Sequence, residues 1–543
     1  LKKKIIIPVV IIVIAIAAYF IVFNKKPVQF PDNTSAFLNQ LNQQRKQAGE
    51  PLVNDIDKTL WYKNSVIYTL DVKVFKDSDG NGYGDFKGLT NKLDYIKSLG
   101  ADIIWLAPFY PTPNMDDGYD ISDYFKVDPH VGTMEDYEGF VREANKRGMK
   151  VIIDLVFNHT SIRHPWFQQA RNVNNPYHSW YVWSKDKPKN MHEGVVFKGV
   201  QKDIWTYDST AHEYYNHSFY NFEPDLNLQN MQVRNELFKV MKFWLQTGIA
   251  GFRIDAVTYL TQIPQTKNDD YDFDYDLLKQ MRQLTQSFNQ NNFLLGEAST
   301  SPKTNSDFFG ENGEKLNIIF NFYADQCLFY SLATNDKNRF EDAMNEMKDL
   351  PLQNAWVNFL RNQDEMGMGK LSKKEQQKVF EAFGPQKNMQ LYDRGVRLRL
   401  APMFKNNQQQ MRMAYSLMLA SPGDPMIRYG DEIGMGSALS LKERLAVRTP
   451  MQWSDTINAG FSTNMHTVRP VINDGVFGYH NINVEAEQKD SASLLNWMIK
   501  MIHLRKSLPE ITWGNWNCIK TKNKHVIAMR YDWNGKSIIT MHN

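Results

Sequence analysis

The run Gly251-Phe252-Arg253-Ile254-Asp255 is apolar and strand-like, and ends in a guanidinium followed by a carboxylate. If Ile254 faces one way, Arg253 and Asp255 face the other, so both leave the same end of a sheet. Two further strand-like runs end in acids, at Glu297 and Asp364, and a third ends near Asp154. An isolated acid at a strand end often does no more than bond a neighbouring loop. Several acids at matching strand ends point to chemistry. Cleavage of a glycosidic bond with retention of configuration needs a carboxylate nucleophile and a second carboxyl that serves as acid and then base, about 5–5.5 Å away. Neighbouring parallel strands can hold two carboxyls at such a separation.

The elements that must position these acids are legible as a repeating pattern. Apolar, β-branched runs recur at Val66–Val72, Asp102–Ala107, Lys150–Val156, Ile249–Asp255, Phe293–Glu297, Asn317–Phe322, Ala355–Arg361 and Pro425–Tyr429, separated by segments of helical periodicity. Short strands buried on both faces and alternating with helices predict a parallel sheet, and eight of them suit an α/β (β/α)₈ TIM barrel. An open doubly wound sheet would carry a glycine-rich phosphate turn after its first strand, and none follows Val72. The barrel is expected over 60–158 and 226–506. The segment 159–225, rich in Trp, Tyr, His, Asn and Pro, is too long for a crossover and reads as a small inserted domain after the third strand, with a helix over 233–246 leading onward. A second excess of chain, Lys370–Gln410, follows the seventh strand. Both would lie at the C-terminal face, where such barrels keep their sites.

The chain has 543 residues and is 42% hydrophobic, enough for one large core and smaller appendages. Its 63 Lys and Arg against 60 Asp and Glu give no reason to expect a nucleic acid or an acidic polymer as partner. A 13% aromatic content suits flat ligands such as sugar rings. Cys327 and Cys518 form neither a metal-ligand spacing nor a disulfide framework.

At the N-terminus, three lysines precede an uncharged run from Ile5 to Phe23, closed by Lys25 and Lys26. Residues 1–25 therefore read as a membrane anchor, which is the preferred reading, or as a cleaved signal peptide with Ala15-Ile16-Ala17 as its cleavage site. Either predicts an exported protein, membrane-anchored with its catalytic domain outside the cytoplasm, or secreted or periplasmic. Residues 26–59, rich in Asn and Gln, read as a linker. At the other end, strands at 526–531 and 537–541 predict a short antiparallel β-domain over 507–543, inside which the chain is expected to stop.

Phe157-Asn158-His159 after Asp154, Gly251–Asp255, Gly296-Glu297 and Asn362-Gln363-Asp364 resemble, in order, the four signature regions of the α-amylase family of glycoside hydrolases. The resemblance covers most of the chain from Trp61. It implies Asp255 as nucleophile, Glu297 as general acid/base, Asp364 as the acid that fixes the sugar, Arg253 as the partner keeping Asp255 ionised, and His159 and Tyr119 as holders of the reacting ring. Where the family usually has His before the last acid, this chain has Gln363, which can donate to a hydroxyl but carries no charge.

Asp77-Ser78-Asp79-Gly80-Asn81-Gly82-Tyr83-Gly84-Asp85 spaces oxygen side chains for a hard cation. It resembles the calcium loop of the α-glucosidase and trehalose synthase branches, implying Asp77, Asp79, Asn81, Asp85 and the Tyr83 carbonyl as Ca²⁺ ligands. Asp116–Asp120 and Arg448–Trp453 are similar to the same branch, and by that likeness Asp116 and Arg448 close the pocket behind a terminal glucose. Glu223-Pro224-Asp225-Leu226-Asn227 resembles the inserted-domain motif, which in many members begins with Gln. The implied activity is cleavage of α-1,4 bonds in maltose or short maltooligosaccharides through a covalent glucosyl intermediate, without an organic cofactor. The alternatives are isomerisation of the trehalose synthase kind, in which the departed glucose and not water attacks the intermediate, and a non-catalytic, membrane-tethered interaction protein.

Overall fold

The computed structural model describes residues 33–50, 52–264 and 272–543. Eight parallel strands close into a barrel: β1 (Ile67–Leu70), β2 (Ile103–Leu106), β3 (Lys150–Leu155), β4 (Gly251–Ile254), β5 (Phe293–Gly296), β6 (Ile318–Phe320), β7 (Ala355–Asn358) and β8 (Asp424–Arg428). Each pairs with its sequence neighbours, and β8 returns to β1. Every strand is buried along its length apart from Lys150 at the start of β3, as an enclosed parallel sheet requires. Helices cover the outside. The one over Met134–Lys146 begins in a Thr133/Asp136 capping box and buries Tyr137, Phe140, Val141 and Ala144.

Excess chain gathers on the C-terminal side of the barrel. After β3 come a short helix, Pro165–Ala170, and a three-stranded antiparallel sheet built from Trp183–Ser184, Glu213–Asn216 and Trp205–Asp208. After β7, a second small sheet (Met366–Gly367, Gly395–Val396, Gln390–Leu391) carries the helix Lys373–Phe383. The chain finishes in a three-stranded antiparallel sheet, Asn515–Cys518, Ile527–Trp533 and Lys536–His542. The first of these three strands was not expected from the sequence: it is only four residues long, and its alternation of Asn with Trp516 and Cys518 offers just two apolar positions.

Two expectations change. The polar stretch read as a linker contains a helix, Asn33–Ala48, that docks on the body: Leu41 is fully buried, Arg45 pairs with Glu50 at 3.1 Å, and Glu50 pairs with Arg282 at 3.0 Å. Its apolar stripe is only Phe37, Leu38 and Leu41 among amides, too thin to register as amphipathic. The membrane partner and membrane-anchored location also need correction. No helix among the described residues is long and apolar enough to cross a membrane, and the run on which that expectation rested, 1–25, lies outside the described residues.

Candidate active site

Register brings the acids together. Arg253 on β4 stands opposite Asp154 on β3 and Leu295 on β5, so the next residues of β4 and β5 carry Asp255 and Glu297 to the same mouth. β4 fits between its neighbours because residue 251 is glycine. Its φ is +144°, and a Cβ there would lie 1.9 Å from the Phe293 carbonyl oxygen.

The Arg253 guanidinium is the hub. It is 1% exposed and donates from Nη1 to Asp154 Oδ1 (2.7 Å) and Asp255 Oδ1 (2.5 Å), while Nη2 pairs with Glu297 Oε2 at 2.8 Å. It packs 5.0 Å from the Trp105 ring, which shields it from below. One rigid fork thus holds the two carboxyls of interest within its own span. Ala256 adds to this: it adopts the left-handed conformation (φ 45°, ψ 41°), and its N–H donates to Glu297 Oε2 at 3.0 Å. A non-glycine residue in that region is strained by about 1–2 kcal/mol, which the β4 turn imposes and the Glu297 contact uses.

Across the mouth, Gln363 Nε2 donates to Tyr119 Oη (3.1 Å) and reaches Asp364 Oδ2 (3.4 Å), and Tyr119 Oη donates to Asp154 Oδ2 (3.2 Å). Arg448 reaches Asp364 at 3.0 Å and the Gln363 carbonyl at 2.9 Å. Its remaining ion pair is with Asp117, at 2.8 Å, and not with Asp116. Asp117 has a positive φ of 55°, and its carboxylate is buried against Arg448, Lys73 and Arg469. Asp116 instead lines the cavity, together with Tyr119, His159, Asp255, Glu297 and Asp364. Arg444 was missed by sequence reading. It contacts Asp364 at 3.2 Å and Glu365 at 2.9 Å, and the only signal for it was its place four residues before Arg448 among ordinary-looking surface charges.

The cavity measures about 290 Å³. Burial sets the acids apart in basicity. Glu297 is pushed up to about 8 by loss of solvent, opposed by Arg253 and reinforced by the charges of Asp255 and Asp364. Asp255 rises to about 6 by burial, with Arg253 opposing and Asp154 adding. Burial also acts on Asp364, but Arg444 and Arg448 overcome it and hold that carboxyl below the ordinary range. Near neutral pH the set therefore contains one protonated acid beside two carboxylates, the division that acid-assisted displacement at carbon requires.

Away from the cavity, Asp77, Asp79 and Asp85 each offer a carboxylate oxygen, and these lie within 4.8 Å of one another. An all-oxygen set of this kind can hold a divalent cation. The turn beneath it is tight: Gly82 has φ +93°, and a Cβ there would meet the His466 carbonyl oxygen at 2.2 Å. Asn81 Oδ1 accepts the Tyr83 N–H at 2.7 Å, and Asn81 Nδ2 donates to Asp79 Oδ2 at 3.2 Å.

With this arrangement in view, comparison with known proteins is direct. The alpha-amylase catalytic-domain family model matches residues 67–514. The chain belongs to the alpha-amylase family. It is therefore a member of a family of glycoside hydrolases and transglucosidases, and the expected fold and family both hold. Among curated relatives, this family member is 38% identical over 488 residues to a trehalose synthase of Thermus thermophilus, covering 89% of this chain but 50% of that protein, so it spans about half the length of that relative. It is 37% identical to the trehalose synthase/amylase TreS of Mycolicibacterium smegmatis, over 87% of this chain and 80% of the relative. Among solved structures it is similar to the alpha-amylase from H. orenii (28% identity, TM-score 0.73, 89% of each chain). It is also similar to the trehalulose synthase MutB from Pseudomonas mesoacidophila MX-45 (27% identity, TM-score 0.70, 89% of this chain and 90% of that one).

Proposed function

We propose that this chain is a retaining α-glucoside transglucosidase that interconverts maltose and trehalose by moving a glucosyl unit within one cavity. The relatives whose names are synthases support transfer over the hydrolysis expected first from the sequence. The observation that carries the reading is a side-chain bridge beside the cavity wall. Tyr220 of the inserted segment and Tyr392 of the segment after β7 both donate to Glu443 Oε2, at 2.5 and 2.6 Å, and Phe197 packs 4.6 and 4.8 Å from the two rings. Three separate excursions of the chain thus tie together beside Phe197, which lines the cavity with the acids. A mouth narrowed in this way slows loss of the departed glucose and limits water, the two conditions that favour intramolecular return.

In this reading Asp255 attacks C1 of the terminal glucosyl unit as Glu297 gives its proton to the glycosidic oxygen, releasing glucose and leaving a glucosyl ester on Asp255. Glu297, now a carboxylate, takes the proton of the anomeric hydroxyl of the retained glucose as that oxygen attacks C1 and Asp255 departs. Two displacements restore the original configuration. Asp364 grips ring hydroxyls, Tyr119 and His159 hold the ring, and Asp116 and Arg448 act on separate sides of the same subsite. In the 77–85 loop, Asp77, Asp79 and Asp85 would hold calcium as a structural ion outside this chemistry. Incubating the purified protein with maltose tests the proposal: trehalose is expected with little free glucose, and labelled external glucose stays out of the product. Glucose as the main product would overturn it.

A further inference from the structure

Glu223, where many members of the family carry Gln, is 1% exposed and lines the cavity beside Asp116, His159 and Asp255. Its two oxygens differ. Oε2 accepts the Tyr220 N–H at 3.2 Å, whereas Oε1 is buried without a hydrogen-bond partner among the described residues. Oε1 lies 3.7 Å from His159 Nε2, too far for a bond between them, and that nitrogen is also buried without a partner among the described residues. Two unpartnered polar atoms this far apart on a cavity wall can both reach one oxygen placed about 2.8 Å from each. A buried polar atom without a partner costs free energy, so two of them 3.7 Å apart, on residues that line one cavity, mark a seat for a ligand hydroxyl.

The proton inventory of that seat follows from its surroundings. The titratable groups facing Glu223 are Asp116, Asp120 and Asp255, all acidic, with His159, and neither Lys nor Arg is ion-paired with it among the described residues. Burial among like charges favours the neutral acid. Oε2 already accepts from the backbone, so the proton belongs on Oε1. His159 is held neutral by burial, so one ring nitrogen carries no proton, and in the Nδ1–H tautomer Nε2 is the acceptor.

We propose that Glu223 is a substrate-binding residue: as the neutral acid it donates from Oε1 to one sugar hydroxyl, which donates onward to His159 Nε2. The inference rests on the reading that this cavity receives a glucosyl unit. Ionisation of Glu223 removes the donor and places three acceptors around one proton, so the seat works below the pH at which Glu223 titrates and weakens above it.

Maltose binding to the turnover-silent Asp255→Asn protein, followed by calorimetry from pH 5 to 9, tests this. Affinity is expected to fall on the alkaline side. Adding Glu223→Gln, which keeps a donor, changes neutral-pH affinity by less than about threefold and flattens the alkaline fall, while Glu223→Leu weakens binding by about 10- to 100-fold at every pH. If Gln is as damaging as Leu, if Leu is harmless, or if the alkaline fall persists with Gln, the assignment is wrong. Failure of the Asp255→Asn protein with Glu223 intact to bind maltose at all would instead sink the glucosyl-cavity reading, and this inference with it.

Discussion

The chain holds two clusters of acids, and it treats them in opposite ways. At the barrel mouth, Asp255 and Glu297 are desolvated against one guanidinium, and burial lifts both above ordinary carboxyl values. In the 77–85 loop, burial also pushes Asp77 upward, but hydrogen bonds from Ser462 and the backbone N–H groups of Gly82 and Gly80 hold it below the ordinary range. The linkage to stability then has opposite signs. For the mouth acids, stability is present below their unfolded values and is lost as pH rises through about 6 and about 8. For Asp77, stability is present above its unfolded value and is lost as pH falls through its lowered folded one. The mouth gives up stability to keep reactive carboxyls, and the loop spends its hydrogen bonds on staying folded.

The largest effect should come from removing Asp255, the nucleophile proposed above. Asp255→Asn is expected to lower kcat on maltose by more than about 10⁴-fold, since a covalent route has no substitute for its carboxylate. Because the same change deletes a raised buried acid, the variant should unfold at a Tm no lower than that of the parent above pH 7, with any gain shrinking toward pH 4. Turnover unchanged by the substitution would end the mechanism proposed above. A Tm lower at alkaline pH than at acid pH, relative to the parent, would show that Arg253 depends on Asp255 more than burial penalises it.

A smaller effect follows from pH alone. kcat/KM should be bell-shaped, rising as the Asp255 carboxyl ionises near pH 6 and falling as Glu297 loses its proton near pH 8, about tenfold per unit on each limb. These limbs belong to the coupled set around Arg253. A profile flat from pH 5 to 9 would remove Glu297 from the acid role.

The same contrast separates what is legible in the sequence from what is not. The loop is local: its acids are spaced every second residue, and the chain itself brings Asp77, Asp79 and Asp85 together. The barrel was legible because its strands are buried on both faces and read as unbroken apolar runs. The acids at the strand ends were legible too, since strand period alone puts Arg253 and Asp255 on one side. What stayed hidden depends on contacts between distant excursions. That Arg448 takes Asp117 and leaves Asp116 to the cavity turns on one left-handed residue. Arg444 earns its place only when the loop after β8 reaches Asp364 and Glu365. The helix Asn33–Ala48 was lost for a different reason, because three apolar residues suffice to dock it and too few to announce it.

The smallest effect lies in the loop, and it sharpens the comparison most. If a divalent cation sits among Asp77, Asp79 and Asp85, chelation leaves three carboxylates within 4.8 Å of one another with only neutral donors to answer them: backbone N–H groups, the Ser78 and Ser462 hydroxyls and the Asn81 amide. Calcium at about 100 times its Kd contributes about 2.7 kcal/mol, so Tm should fall by a few degrees on chelation and recover with added calcium. Asp79→Asn should abolish the calcium response, because Asp79 is the exposed member and accepts only the Asn81 N–H groups. The kinetic constants on maltose should stay within about twofold at a temperature where both forms are folded, since the loop shares no residue with the cavity. A Tm indifferent to both chelator and calcium would show that backbone, hydroxyl and amide donors hold this loop without an ion. The two clusters would then differ in solvation only, with no ion needed to account for the gentler one.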